Sequence, residues 1–360
     1  MNADAPAPRS APGEGAAGRA AGRVGAALPV FQAGMGGIAG PRLVAAVAEA
    51  GGAGIVGLYK HPPQEIAALI AETAGLTGRA FGINLVPEVV SEAVLVDQVR
   101  AVLAAPAETP PFISFYGLPP RAAITPARDV GREVIVQIGS VFDAVEAVNR
   151  GATQLIIQGH EAGGHHLSRR PMADLVAALV ERLPAVPVIA AGGISSGEAA
   201  AAAAAAGADA VLAGTAFICA SESAAHDVYR AKVMAACSAD TVVSDRFEIG
   251  WPGRPHRVLR NAVTEAAVPP EPAFIGRTVL FGRPYPVPRG SAAVPTIHSS
   301  GRIEEMALYC GTGCDAVTRI EPAAAIVARL ATGFAAGRNA SATDPTVTAA
   351  PVTPVTARAG

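Results

Sequence analysis

The chain has 360 residues, a formal net charge of −2, 51% hydrophobic and 16% charged residues. Such apolar content excludes global disorder, the near-neutral balance argues against nucleic-acid binding, and no Gly- and Pro-free apolar run of about 18 residues marks a membrane span. The length allows about two domains, or one α/β barrel of roughly 250 residues with appendages.

Residues 1–27 hold Ala, Pro, Gly and Arg without an apolar stretch and are expected to form a disordered tail, not a signal peptide. From residue 28 short apolar runs alternate with Ala-rich helical stretches. Strands are predicted at 29–32, 54–57, 81–85, 112–115, 133–138, 154–158, 186–190 and 210–213. Helices are predicted between them at 41–50, 64–74, 91–104, 121–128, 140–150, 172–182 and 196–206. Most strands are continuous apolar runs, as a parallel sheet covered on both faces requires. Pro41 suits a first helical position, Ser140 and Ser196 suit N-caps, and Gly151 and Gly207 suit helix stops. Successive strand–helix units predict an α/β fold, a (β/α)8 TIM barrel over residues 28–220. After Thr215 the rhythm changes: 222–237 reads as helical, 246–261 and 268–295 as irregular and Pro-rich, and a helical pattern returns at 322–330. The expected organisation is therefore a small insertion or subdomain at 221–320, a closing helix at 321–339 and a second disordered tail at 340–360.

Two glycine-bearing turns follow the last two strands, Ala190-Ala-Gly192-Gly193-Ile194 and Leu212-Ala213-Gly214-Thr215. Loops after the seventh and eighth strands of such barrels commonly hold phosphate, because glycines let backbone N–H groups approach its oxygens. Tight strand–helix packing is the alternative; the pair of turns favours a phosphorylated substrate or cofactor. The sixth strand runs into Gln158-Gly-His160-Glu161-Ala-Gly163-Gly164-His165-His166. This is no zinc helix: the second histidine falls one residue late and the glycine pair would break the helix. A mobile glycine pair instead permits backbone approach to a planar ring and presents His165 to the barrel mouth as a general base or charge partner.

The first turn, Gly34-Met35-Gly36-Gly37-Ile38-Ala39, loosely matches a dinucleotide fingerprint. The second strand ends Gly57-Leu58-Tyr59, without the acidic residue that would hold a ribose, so a backbone surface for a flat ligand is the better reading. Asn84, ending the third strand, offers an amide to a heterocycle edge or caps its own turn. Tyr116 is either a substrate wall or a loop aromatic, and the segment Trp251–Arg257 is either a lid over the barrel mouth or a surface packed on a neighbour. Cys219, Cys237, Cys310 and Cys314 are too few for a disulfide scaffold and suit free thiols in a reducing cytoplasm. Cys310 and Cys314 lack the further ligands of a metal site, and no metal is expected.

Together these segments resemble the nitronate monooxygenase family, formerly 2-nitropropane dioxygenases. The likeness runs from Pro29-Val-Phe-Gln-Ala-Gly34-Met35, through Phe81-Gly-Ile-Asn84, Gln158-Gly-His-Glu-Ala-Gly163-Gly-His165 and Gly192-Gly193, to Leu212-Ala-Gly-Thr-Ala-Phe217. The resemblance implies FMN and the oxidation of alkyl nitronates by O2 to a carbonyl compound and nitrite. It puts Gly34 and Met35 along the isoalloxazine ring, Asn84 and Gln158 at its polar edge with Gly163 close by, and Gly192, Gly193, Gly214 and Thr215 around the phosphate, with Leu212 and Ala213 also among the cofactor contacts. His165 becomes the catalytic histidine, taking an α-proton from a neutral nitroalkane or, when protonated, steadying the nitronate. The implied partners are a small-molecule substrate and O2, with no nucleic acid and no membrane, and homodimerisation left open. Departures occur at Gly34, where the family often has Pro, at His166-Leu-Ser and at Tyr309-Cys-Gly-Thr312, and they leave the substrate open. The rival resemblance is to flavin-dependent enoyl-acyl-carrier-protein reductases, which share the fold and the Glu-Ala-Gly-Gly-His element but use NAD(P)H.

Overall fold

Every predicted barrel strand forms. The computed structural model describes residues 18–106, 111–266 and 273–343. Strands β1 (Val30–Gln32), β2 (Gly54–Gly57), β3 (Phe81–Leu85), β4 (Phe112–Tyr116), β5 (Val134–Ile138) and β6 (Gln154–Gln158) are followed, after the two-residue β7 (Gly164–His165), by β8 (Val188–Ala191) and β9 (Ala210–Ala213). The barrel strands pair in parallel in the order β1-β9-β8-β6-β5-β4-β3-β2, and a Phe31–Ala53 bridge joins β1 to β2 and closes the ring. Nearly all of their residues are buried, because helices cover the outside while side chains fill the inside.

The covering helices are α2 (Pro41–Glu49), α3 (Pro63–Leu76), α4 (Glu92–Ala104), α5 (Arg121–Asp129), α6 (Val141–Arg150), α7 (Met172–Arg182) and α8 (Gly197–Ala205). Their ends follow local chemistry. Ser140 Oγ accepts from Asp143 N at 3.0 Å and Ser196 Oγ from Ala199 N at 3.1 Å. Gly151 ends α6 at φ 114°, a conformation that favours a residue without Cβ.

Four boundaries differ from expectation. First, residues 18–27 are not tail: α1 (Gly18–Arg23) buries Ala20 and Ala21 completely against Ile55, Phe112, Ile135, Ile156 and Ile189. It plugs the barrel end where the strands begin, and Arg19 Nε pairs with Asp209 Oδ1 at 2.9 Å. Low-complexity composition hid this helix, because two alanines suffice to fill the narrow floor. Second, α11 (Ala323–Thr343) carries the closing helix past 339, so residues 340–343 belong to it. Gly333 and Gly337 let its backbone lie directly on Gly197 and Ala201 of α8, and that contact continues the helix where composition alone suggested a tail. The remaining parts of both expected tails, 1–17 and 344–360, lie outside the described residues.

Third and fourth, the stretches expected to be irregular contain strands. β10 (Thr241–Ser244) and β11 (His256–Leu259) form an antiparallel sheet with β7, and β12 (Phe274–Leu280) pairs with β13 (Arg283–Pro288) and β14 (Ser300–Gly301). Pro284, Pro286 and Pro288 are tolerated because β13 is an edge strand, where a missing N–H costs no ladder bond. The short α9 (Thr215–Ile218) and α10 (Asp227–Ala235) lead into this region. Its role is positional: β11 pairs His256 with His165 and Arg257 with Gly164, tying the subdomain to the loop after β6.

Candidate active site

The C-terminal ends of the barrel strands open into one cavity of about 470 Å³. Gly34 and Met35 after β1, Asn84 in β3, Gln158 in β6, Gly192 and Gly193 after β8, and Leu212, Gly214 and Thr215 at the end of β9 all line it, as do Gly163 and His165. Ala213 does not. Its side chain is buried in the outer core and its carbonyl accepts from Ala33 N at 2.9 Å, so the side chain expected at the cofactor faces away from the cavity. Strand alternation explains the miss: Leu212 faces in and its neighbour must face out.

Several glycines are needed by the protein itself. A Cβ on Gly34 would stand 2.5 Å from Asn84 Cβ, so this position fits glycine and locks Asn84 against the first turn. A Cβ on Gly163 would stand 2.5 Å from Gly311 N and 2.7 Å from the Cys310 carbonyl carbon. The tightest neighbour of Gly163 is therefore the late loop, which accounts for the glycine there without any ligand. Gly192 and Gly193 take φ values of 121° and 69°, which other L residues rarely adopt. Thr215 Oγ1 accepts from Gly311 N at 3.0 Å and keeps its own proton for another partner.

Gln158 serves the loop more than the cavity. Its Nε2 donates to the His165 carbonyl at 3.0 Å and its Oε1 accepts from Leu167 N at 2.8 Å, which fixes the backbone on both sides of His166. His166 Nε2 in turn meets the Ala162 carbonyl at 2.7 Å, and His166 N donates to Pro255 O at 2.8 Å. Glu161 accepts from Met172 N at 3.1 Å and so caps α7, while His160 Nδ1 lies 3.7 Å from it. Among the described residues no group of three or more His, Cys, Asp or Glu side chains converges as metal ligands, and no helix is long and apolar enough to cross a membrane.

His165 is the centre of an aromatic cluster. Its ring stacks on Trp251 at 3.8 Å between centroids with 16° between planes, and lies 5.2 Å from His256 and 5.3 Å from Tyr309. Burial, then the neighbouring His256, Arg254 and His166, drives its pKa down to about 2. The imidazole is thus neutral, and its buried Nε2 has no hydrogen-bond partner. Tyr116 Oη and Ser195 Oγ are likewise buried, unpartnered and on the cavity wall. An unpartnered buried hydroxyl costs free energy unless a ligand satisfies it. Ser195 lies two residues beyond Gly193, so a phosphate held at that turn would have a hydroxyl within the same loop in addition to backbone N–H groups. Ser195 was not singled out from the sequence; its place two residues beyond the glycine pair was the available signal.

Trp251 resolves the lid question. Its indole also lies edge-on to Tyr116 at 5.2 Å and tilted to Tyr59 at 5.7 Å, closing the mouth above His165. Beyond it the β12–β13 hairpin adds an apolar wall of Val279, Leu280, Phe281 and Tyr285.

The sequence profile of the nitronate monooxygenase family matches residues 21–333. The chain belongs to that family. Within it, a nitronate monooxygenase of Pseudomonas aeruginosa is 30% identical over 290 residues, which cover 68% of this chain and 82% of that protein. A (3aS,4S,5R,7aS)-5-hydroxy-7a-methyl-1-oxo-octahydro-1H-indene-4-carboxyl-CoA dehydrogenase of Mycobacterium tuberculosis is 35% identical over 246 residues, 67% of this chain and 66% of that protein. A Rhodococcus jostii protein of the same name is matched over 64% of its length, so this chain spans slightly less than two thirds of both dehydrogenases. Among solved structures, FabK from Thermotoga maritima superimposes with a TM-score of 0.70 at 28% identity, covering 87% of this chain and 94% of that one. The nitroalkane oxidase of Streptomyces ansochromogenes does so with a TM-score of 0.68 at 29% identity, covering 87% and 97%. Monooxygenase, dehydrogenase and oxidase are all names of oxidoreductases, and the nitronate monooxygenase family to which this chain belongs is an oxidoreductase family.

Proposed function

We propose that this chain is an FMN-dependent oxidoreductase that oxidises alkyl nitronates with O2. Overall, two nitronate anions and one O2 would yield two carbonyl compounds and two nitrite ions, which balances atoms and charge. The observation that carries the reading is the pairing, in one barrel-mouth cavity, of a neutral His165 with a free Nε2 and a glycine turn followed by the unpartnered Ser195 hydroxyl. Bound flavin would supply the electron transfer from the nitronate to O2.

The chain's own residues do the rest. Gly192, Gly193, Ser195, Gly214 and Thr215 would hold the phosphate, and Gly34, Met35 and Asn84 would offer the wall for the flat ring. The Gln158 amide, already engaged with the loop, would act by fixing the His165 backbone. In the covered state burial makes His165 a poor base; with the indole moved aside and a nitronate charge forming beside it, that burial is relieved, and Nε2 would accept the α-proton of a neutral nitroalkane while the imidazolium so formed steadies the nitronate. Tyr116 and Tyr59 would wall the approach to that proton transfer, and Trp251 would shield the imidazole until substrate arrives.

The apolar hairpin wall beyond Trp251 favours one second reading, reduction of an enoyl thioester by NAD(P)H, since it offers length that a small nitroalkane does not fill. Aerobic nitrite release from a nitronate by purified, FMN-loaded protein tests the first reading. Flavin bleaching by NADH followed by turnover of crotonyl thioester, without nitrite release from nitronates, would replace it with the second.

A further inference from the structure

The ring stack on His165 leaves no space for a substrate between the two rings, since van der Waals contact is already made at 3.8 Å. Trp251 belongs to a short strap, Ile249-Gly250-Trp251-Pro252-Gly253-Arg254, whose glycines take φ values of 104° and 72°. The strap is held from across the mouth by one carboxylate. Glu88, in the turn after β3, accepts from Trp251 Nε1 at 2.6 Å and from Arg254 at 3.2 Å (Nε) and 2.5 Å (Nη2). Tyr59 Oη and Lys60 Nζ add donors to the Gly250 carbonyl. Glu88 itself does not line the cavity.

We infer that Glu88 is a positioning residue: its carboxylate clasps the Trp251–Arg254 strap so that the indole covers His165, and substrate reaches the imidazole when this clasp lets go. A single side chain of the β3 turn thereby sets the fraction of molecules competent to bind. Closed molecules lower the apparent affinity in proportion to their share of the population. Cutting the clasp raises that share of open molecules, so KM falls while kcat stays near the parent value. Damage to the site would do the reverse.

The test uses the full chain loaded with FMN, and Trp251 reports on itself because it is the single tryptophan in the sequence. In Glu88→Ala, Trp251 emission moves to longer wavelength and acrylamide quenching rises severalfold at equal FMN content. The KM for a nitronate falls by roughly fivefold, the scale of a part-exposed ion pair. Glu88→Gln keeps an acceptor for the indole but loses the charge facing Arg254, and falls between parent and Ala. Arg254→Met gives the same direction of change from the other half of the clasp. Unchanged emission and quenching in both Glu88→Ala and Arg254→Met, or a raised KM with lowered kcat, overturns the inference. The kinetic arm rests on the proposed reaction; the fluorescence arm does not. If parent protein makes no nitrite, the reaction fails, and the quenching result alone decides the clasp.

Discussion

Ser195 Oγ is buried without a partner near a left-handed glycine turn, and the proposed function gives it the phosphate of FMN as that partner. Replacing it with Ala removes one charge-assisted hydrogen bond, worth ~1.5–3 kcal/mol, so the dissociation constant for FMN rises by about tenfold or more in a fluorescence titration. The ligand-free protein melts no lower, because the lost hydroxyl had nothing to bond. An FMN affinity equal to the parent's would remove Ser195 from the site. His165→Asn retains flavin and loses ~10²–10⁴ in turnover of neutral nitroalkanes, the usual range for a general base. Preformed nitronates, which need no deprotonation, lose far less; equal losses on both substrates would sink the base role. At this scale the sequence was partly legible. Asn84 and Gln158 were both read as amides at a ligand's edge and both line the cavity, but the spacing could not reveal that both ends of the Gln158 amide are occupied by the loop.

At the scale of elements, local chemistry was strong where each strand–helix unit is self-contained. The eight barrel strands and the Ser140 and Ser196 caps were readable because period, N-cap and stop signals lie within a few residues of the element they define. Helix α1 was not readable, since its fully buried Ala20 and Ala21 gain their partners from five different strands. Ala21→Asp would place a carboxylate among Ile and Phe side chains and cost ~2–7 kcal/mol before any rearrangement. Its melting temperature should fall clearly below the parent's while Ala21→Gly, which adds no charge, changes it much less. Indistinguishable melts for parent and Ala21→Asp would show that α1 does not close the barrel floor. Strand β13 escaped notice for the opposite reason, because three prolines normally argue against a strand and only its edge position permits them.

Across the whole molecule, burial has gathered four histidines around the mouth and lowered each pKa. Burial is the largest cause for His61, lowered to about 4, for His165, lowered to about 2, and for His166 and His256. His256 is held neutral by geometry as well: Nδ1 meets the Arg254 carbonyl at 3.1 Å and Nε2 accepts from Phe247 N at 3.2 Å. Unfolded histidines titrate near pH ~6.5, so below that value the unfolded chain binds more protons than the folded one and acid favours unfolding. The associated stability is complete above ~6.5 and drains away as pH falls toward the lowered folded values. Melting temperatures should therefore drop from pH 7 to pH 5, and His256→Gln, which lacks a titrating ring, should show a shallower drop. Parallel pH slopes in the two proteins would exclude His256 from this linkage. By itself the sequence determined the barrel, the glycine turns and the histidine after β6, because each is written in short-range periodicity and turn chemistry. The tertiary structure alone decided that Trp251 covers His165, that the Ser195 hydroxyl is buried without a partner and that α1 packs into the barrel floor. Those facts depend on contacts between segments far apart in the chain, such as Arg19 with Asp209, 190 residues away, and no local pattern encodes which distant surfaces will meet.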